Sequence, residues 1–198
     1  MKKRDWKSHF ITAAGIIFLF FGIGAWINSI VMNDVGKLIW MCYLSLIIMG
    51  VGVLRRDSFM MMSQVYILSL PIVVWDADFL FHLFTGHTLF GITDYFFVEG
   101  FNFGKFISLQ HLFVVPLAIY IVFLLGLKRK DAWKVSLIQI TVIYFVTLFF
   151  TPASENLNCV FSSCMPIEFG AIYPLVWFTV FFGMTLISAF ILNKFIKK

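Results

Sequence analysis

The sequence predicts an all-α fold: a polytopic transmembrane helix bundle of six spanning helices plus one re-entrant or interfacial segment, in a single transmembrane domain over residues 1–198. Three observations predict it. Hydrophobic residues make up 61% of the chain and charged residues 13%, against about 45–50% and about 25% in soluble domains. Mean hydropathy is +0.96. Six apolar runs reach the roughly 17–25 residues that span hydrocarbon, and basic residues gather between alternate runs. The runs are too long and too continuously apolar for barrel strands, which alternate.

The first run, residues 10–32, follows the basic head "MKKRDWK". It is longer than a signal core of roughly 7–15 residues and no A-x-A-like site follows, so it is expected to be an uncleaved helix. Residues 38–54 and 59–75 come next, separated by Arg55 and Arg56. Residues 107–127 and 132–151 flank Lys128, Arg129 and Lys130, with Lys134 just inside the second. Residues 171–193 end before Lys194, Lys197 and Lys198. Six crossings put these basic residues, with Lys2, Lys3, Arg4 and Lys7, on one side, which the positive-inside rule makes cytoplasmic. Both termini are then cytoplasmic, in a multi-pass protein of the cell membrane. Only Lys37 and Lys105 fall outside. The acids reverse the bias: Asp34, Asp76, Asp78, Asp94, Glu99, Glu155 and Glu168 all lie outside. The net charge of +5 therefore argues for a bilayer and not for nucleic acid as partner.

The stretch "WDADFLFHLFTGHTLFGITDYFF" is apolar but carries three aspartates and two histidines. Were it a crossing, every later basic loop would face outward. Each charge at mid-membrane would also cost about 2.5–3.5 kcal/mol. Residues 77–105 are therefore expected to be re-entrant or interfacial, with the preceding helix ending at Trp75. Three histidines, His82, His87 and His111, join the acids outside. Pro71, Pro116 and Pro174 lie in the outer halves of their helices and are expected to splay them. Together these predict an outward-facing polar pocket, with His111 about one turn below the surface.

Several chemistries suit that set. Asp76, Asp78, His82, His87 and His111 are suitable ligands for a divalent metal, without a recognised spacing. A hydrolytic site would use His111 as base, Asp76 or Asp78 as orienter, and Ser69, Thr85, Thr88 or Ser108 as nucleophile. A binding site for a lipid or small polar ligand would draw on His82, His87, Ser108, Glu155, Asn156 and Asn158, and a small-solute or cation binding or transport protein would hold its solute at Asp76, Asp78 and His111. A third reading is a non-catalytic subunit, in a homo-oligomer or against a membrane partner. Asn28, Gln64 and Gln139 are expected to hydrogen-bond between helices. In the oxidising case Cys159 and Cys164 can form a disulfide. "GIGAW" offers small residues for close helix contact.

The segments "GITDYFFVEGFNFGKFISLQHLFVVPLAIY", "LKRKDAWKVSLIQI" and "TPASENLNCVF" resemble a family of uncharacterised bacterial polytopic membrane proteins. Its S-L-x-H-x-F-x-x-P helix maps to Ser108, His111 and Pro116, its basic-acidic turn to Lys128–Asp131, and its N-x-N-x-V loop to Asn156, Asn158 and Val160. The resemblance covers about the middle half of the chain and singles out His111 and the asparagine pair. "VVWDADFLF" and "QHLFVVPLAIY" are also similar to the androgen-induced six-helix membrane hydrolases of fatty-acid esters. That resemblance implies a His111 base. That family's threonine nucleophile lies near the start of the second helix, where this chain has Cys42 and Ser45.

Overall fold

The computed structural model describes residues 3–98 and 100–196 and, among them, contains helices and no strand. Lys2, Glu99, Lys197 and Lys198 lie outside the described residues. Eight α-helices follow in order: α1 Lys3–Val31, α2 Met41–Leu54, α3 Ser58–Thr85, α4 Asp94–Phe97, α5 Phe103–Ser108, α6 His111–Leu125, α7 Trp133–Phe150 and α8 Tyr173–Phe195. Short 3-10 turns at Val35–Ile39, Ala153–Glu155, Leu157–Cys159 and Gly170–Ile172 sit between them.

Five stretches are long and apolar enough to cross a membrane: Trp6–Val31, Ser58–Thr85, Phe103–Leu125, Trp133–Phe150 and Gly170–Phe195. Their outward side chains are large and apolar, with Phe84 87%, Phe150 79% and Phe190 75% exposed. No water-facing surface carries apolar side chains so continuously. This is a helical membrane protein.

α1 and α2 form a tight antiparallel hairpin because glycines let the backbones meet. A Cβ on Gly22 would stand 2.7 Å from Ile47 Cγ1 and 3.1 Å from the Ile47 backbone N. One on Gly50 would stand 2.6 Å from Leu19 Cγ. Without a hydrophobic drive between helices in lipid, such close contact is what holds them.

α3 is the central helix and packs against α2, α6, α7 and α8. Asp57 caps its start, accepting from the N–H groups of Phe59 and Met60. Its end corrects the sequence expectation. The helix does not stop at Trp75; it continues ten residues to Thr85 and closes at Gly86, whose φ of +78° suits a left-handed cap. Pro71 sits inside it and does not end it. The same correction changes the 77–105 segment: its first part is helix and only the remainder folds back. Twenty-eight residues rise about 42 Å, roughly the full bilayer including head groups.

Two further boundaries move. The crossing expected from Ile107 starts at Phe103, with an irregular step at Leu109–Gln110 between α5 and α6. Pro174 lies in the first turn of α8, where its missing N–H costs nothing, so only Pro71 and Pro116 are internal.

The helices share one basic end. Arg56 donates to Ser8 Oγ at 2.7 Å. Arg129 stacks 4.3 Å over Phe59. Lys130 donates to the Asn193 carbonyl. The start of α1, the α2–α3 and α6–α7 loops and the end of α8 therefore meet at one end of the bundle. Inside, Gln64 and Gln139 exchange amide hydrogen bonds at 2.8 and 2.9 Å, and Ser45 Oγ donates to Gln64 Oε1. Ser136 Oγ donates to the Ser63 carbonyl. These bonds tie α2, α3 and α7 as the sequence suggested.

The glycine contacts give a paired test. Gly22→Val should destabilise the protein by roughly 1–3 kcal/mol, the usual cost of overpacking. Gly24→Ala, whose Cβ would meet only Phe103 at 3.6 Å, should be neutral or slightly stabilising. Thermal unfolding in one detergent, read by tryptophan fluorescence, separates the two; equal effects would remove the close-contact account of the hairpin.

Candidate functional site

At the end opposite the basic loops, the last third of α3 carries Trp75, Asp76, Asp78, Phe79 and His82. Asp78 is fully buried. Its Oδ1 accepts from the Phe90 N–H at 2.5 Å, and its Oδ2 from the Thr93 N–H and Thr93 Oγ1, both at 2.8 Å. A carboxylate in apolar surroundings survives only with such donors. Asp78 thereby holds the turn over residues 86–93. Gly86 and Gly91, both at φ +78°, supply its reversals, and Thr88 donates to Asp94 at the start of α4.

The turn delivers α4 onto α3 through aromatic rings. His111 stacks on Trp75 at 4.6 Å between centroids, Trp75 on Phe79 at 5.0 Å, Phe79 on Phe97 at 5.3 Å and Phe97 on His82 at 3.5 Å. Four successive near-parallel contacts make one ladder from α6 to the tip of α3. Trp75 lies ten residues before that tip, about 15 Å down at 1.5 Å per residue. His111 thus stacks at a level nearly three turns from the tip of α3.

His111 is half-buried. Its Nδ1 is 2.8 Å from the Ser108 carbonyl. A carbonyl only accepts, so Nδ1 carries the proton and Nε2 keeps its lone pair in the neutral ring. Tyr95 of α4 places its hydroxyl beside Ser108 and the Trp75 indole. Burial raises its pKa, and the hydrogen bonds to Ser108 and Trp75 oppose that rise. Next to His111, Gln110 is fully buried, and neither its Oε1 nor its Nε2 has a hydrogen-bond partner. The Oδ1 of Asp76, the neighbour of Trp75, and Nδ1 of His82 are likewise buried and unpartnered. Buried polar atoms are almost always satisfied, so polar capacity is left over at Gln110 and Asp76 and, separately, at His82 at the far end of the ladder; Ser58, Thr185 and Ser188 carry single unpartnered hydroxyls elsewhere.

The other sequence candidates lie elsewhere. His87 is exposed, and its backbone bonds Thr85. Lys105, taken as an outer surface charge, is buried and donates to the Val98 carbonyl. Glu155 is exposed and lies across Gly36. Asn156 accepts from the Phe161 and Ser162 N–H groups and donates to the Ser162 carbonyl. Asn158, at φ +53°, accepts from the Met41 N–H and donates to the Ile39 carbonyl and Thr147 Oγ1. Its own carbonyl accepts from Trp177 Nε1. The asparagine pair thus spends its amides inside the chain, joining the Val35–Ile39 turn, α7 and α8. Cys159 and Cys164 are disulfide-bonded within the same loop.

The expected metal ligands do not converge. Among the described residues no three His, Cys, Asp or Glu side chains are placed to hold one ion. Asp78 is taken up by the turn, His87 is at the surface, and His82 and His111 sit at opposite ends of the ladder. The hydrolytic set does not converge either. Ser69 donates to Val65, Thr85 to Phe81, Ser108 to Gly104 and Thr88 to Asp94. None of these hydroxyls donates to His111. Ser45 is committed to Gln64. Comparison of the chain with family models, curated proteins and solved structures finds no match.

Sequence reading places Gln110 with Ser108 and His111 at the start of the fourth apolar run but does not single it out, although an amide between Leu109 and His111 is a visible signal. It also missed Tyr95, which reaches Ser108 only because Asp78 folds the turn back. Asp78→Ala should release that turn. Residues 86–97 should then exchange backbone amide hydrogens at least tenfold faster while α7 and α8 stay protected. Hydrogen exchange with mass spectrometry measures both; unchanged exchange at 86–97 would show that the aromatic ladder alone holds the turn.

Proposed function

We propose that this is a cell-membrane protein that crosses the bilayer six times with both termini cytoplasmic, and that it binds a small polar ligand or the head group of an amphiphile at Asp76, Gln110 and His111. The observation that carries the binding reading is Gln110. An amide sealed from solvent with both polar atoms unpartnered costs roughly 1–3 kcal/mol per group. A ligand that offers both a donor and an acceptor would recover that cost. His111 Nε2 adds an acceptor and Asp76 a charge. The aromatic ladder fixes Trp75 and His111 beside them. Access from the lipid side is supported by the exposed apolar flank of α3, Leu80, Phe81, Leu83 and Phe84.

Binding is favoured over hydrolysis because every candidate hydroxyl is bonded away from His111 and Asp78 is consumed by the turn. This departs from the ester-hydrolase resemblance at the same point as the sequence does, the missing nucleophile. The family resemblance to uncharacterised polytopic proteins is compatible with it.

Six crossings require α2 to span. Its 14 residues rise about 21 Å, and the five 3-10 residues of Val35–Ile39 add up to about 10 Å, together near the 30 Å of hydrocarbon. The shared basic end supports an even number of passes and a cytoplasmic assignment for it.

Two measurements test this. Gln110→Leu should raise the melting temperature of the ligand-free protein, since it removes an unsatisfied group, and abolish the stabilisation given by a total lipid extract. If the extract stabilises the variant and the native protein equally, Gln110 is not part of a site. For topology, Ala153→Cys should react with an impermeant maleimide in intact cells and Lys130→Cys only after lysis, both in a Cys42→Ser background. The reverse labelling would overturn the orientation.

A further inference from the structure

The basic end carries a second site, independent of the one at Gln110. The α6–α7 loop and the start of α7 line an open depression of about 520 Å³ with Lys128, Arg129, Lys130, Asp131, Trp133 and Lys134. Four cations and one acid give it a formal charge of +3. The floor is ordered from below. Arg129 is gripped bidentately by Asp131, at 3.0 and 2.8 Å, and its guanidinium stacks 4.3 Å over Phe59 of α3. That pairing lowers the Asp131 pKa, so the acid stays ionised and the clamp persists at neutral pH. Lys130 is tied at the end of α8, donating to the Asn193 carbonyl while Asn193 Nδ2 donates back to the Lys130 carbonyl. Asn193 Oδ1 in turn accepts from Tyr66 at 2.7 Å. Lys128 and Lys134 are exposed, and the Lys134 ammonium lies 5.7 Å from the Trp133 ring.

Four exposed cations, two of them held by Asp131 and Asn193, beside an indole suited to the membrane interface, make a shaped anion site and not a diffuse cloud. We infer that this depression binds the phosphate of an anionic phospholipid head group, with Lys128 and Lys134 closing on it and Trp133 seated at the acyl-chain boundary. The choice of lipid over free phosphate follows from place: the loop joins two helices long and apolar enough to cross a membrane, and the ends of such helices lie at the level of the head groups.

Titration of the purified full chain with phosphatidylglycerol, followed by native mass spectrometry, tests the assignment, with phosphatidylcholine as the neutral reference. Lys128→Gln with Lys134→Gln should weaken phosphatidylglycerol binding about 25-fold, from about fivefold per basic residue at a membrane surface. The charge-matched pair Lys7→Gln with Arg55→Gln, at the other basic loops, should change it less than twofold. Equal losses in the two lysine-containing pairs or equal binding of phosphatidylcholine would overturn the site. Displacement of the lipid by millimolar inorganic phosphate would assign the depression to free phosphate and overturn the lipid assignment.

Discussion

The carboxylate of Asp78 governs the half of this protein opposite the basic loops. An ionised group that far along an apolar helix must collect donors or be expelled. Asp78 collects three, all from residues 90–93. The bond set forces the chain past Gly86 to turn back, brings α4 over α3, and sets Phe97 on Phe79 and His82. The same rule works at the asparagine loop. Asn158 finds partners on the Val35–Ile39 turn, the first residue of α2, and α7, so one side chain fastens three otherwise separate elements. It works again in the middle, where Gln64 and Gln139 pair. In lipid no water can absorb an unsatisfied amide, so these polar side chains become tethers.

Gln110 stands out among the buried groups without a partner because both of its polar atoms are unsatisfied. It is as buried as Gln64, yet lacks the reciprocal partner that Gln64 has. The unsatisfied amide falls at the irregular step between α5 and α6, beside the histidine whose ring is fixed by Trp75 and whose Nδ1 is fixed by Ser108. A local violation next to well-fixed groups is the pattern expected of a site held at a cost to stability. The fixed tautomer also limits what His111 does there. It offers an acceptor at Nε2, and with no hydroxyl delivered to it, it acts as a recognition group.

Much of the architecture was legible because it follows from the bilayer. Continuous apolar runs, basic loops and the Gly22 contact are local signals, and the pairing of Gln64 with Gln139 follows from their isolation in such runs. The end of α3 was not legible. Asp76 and Asp78 read as charges that a helix in lipid must avoid, and only the donors brought by residues fifteen positions later remove the objection for Asp78. Pro174 could not be told from Pro116 by position in an apolar run, since the helix start that excuses it depends on the preceding 3-10 turn. Asn156 and Asn158 looked like exposed ligands because turn-forming and ligand-binding asparagines share a composition. Their positive φ angles, the loop bonds of Asn156 and the buried partners of Asn158 tell them apart, and none of these is visible in sequence.

The two ends of the bundle meet opposite demands. The end opposite the basic loops has acids and amides that must be neutralised internally, and it does so with side chain to backbone bonds that close the surface over Trp75 and His111. The basic end has cations, which a bilayer surface already welcomes, so internal neutralisation is partial. Asp131 answers Arg129 alone, Lys130 finds a helix C-terminus, and Lys128 and Lys134 remain at the surface. Charge left over at a surface costs little in water, whereas polarity left over at Gln110 costs much more. An unpartnered lysine alone would therefore carry no functional weight. What gives the basic depression weight is that Arg129 and Lys130 are held in place by Phe59, Asp131 and Asn193, leaving the two other lysines a fixed floor to close against.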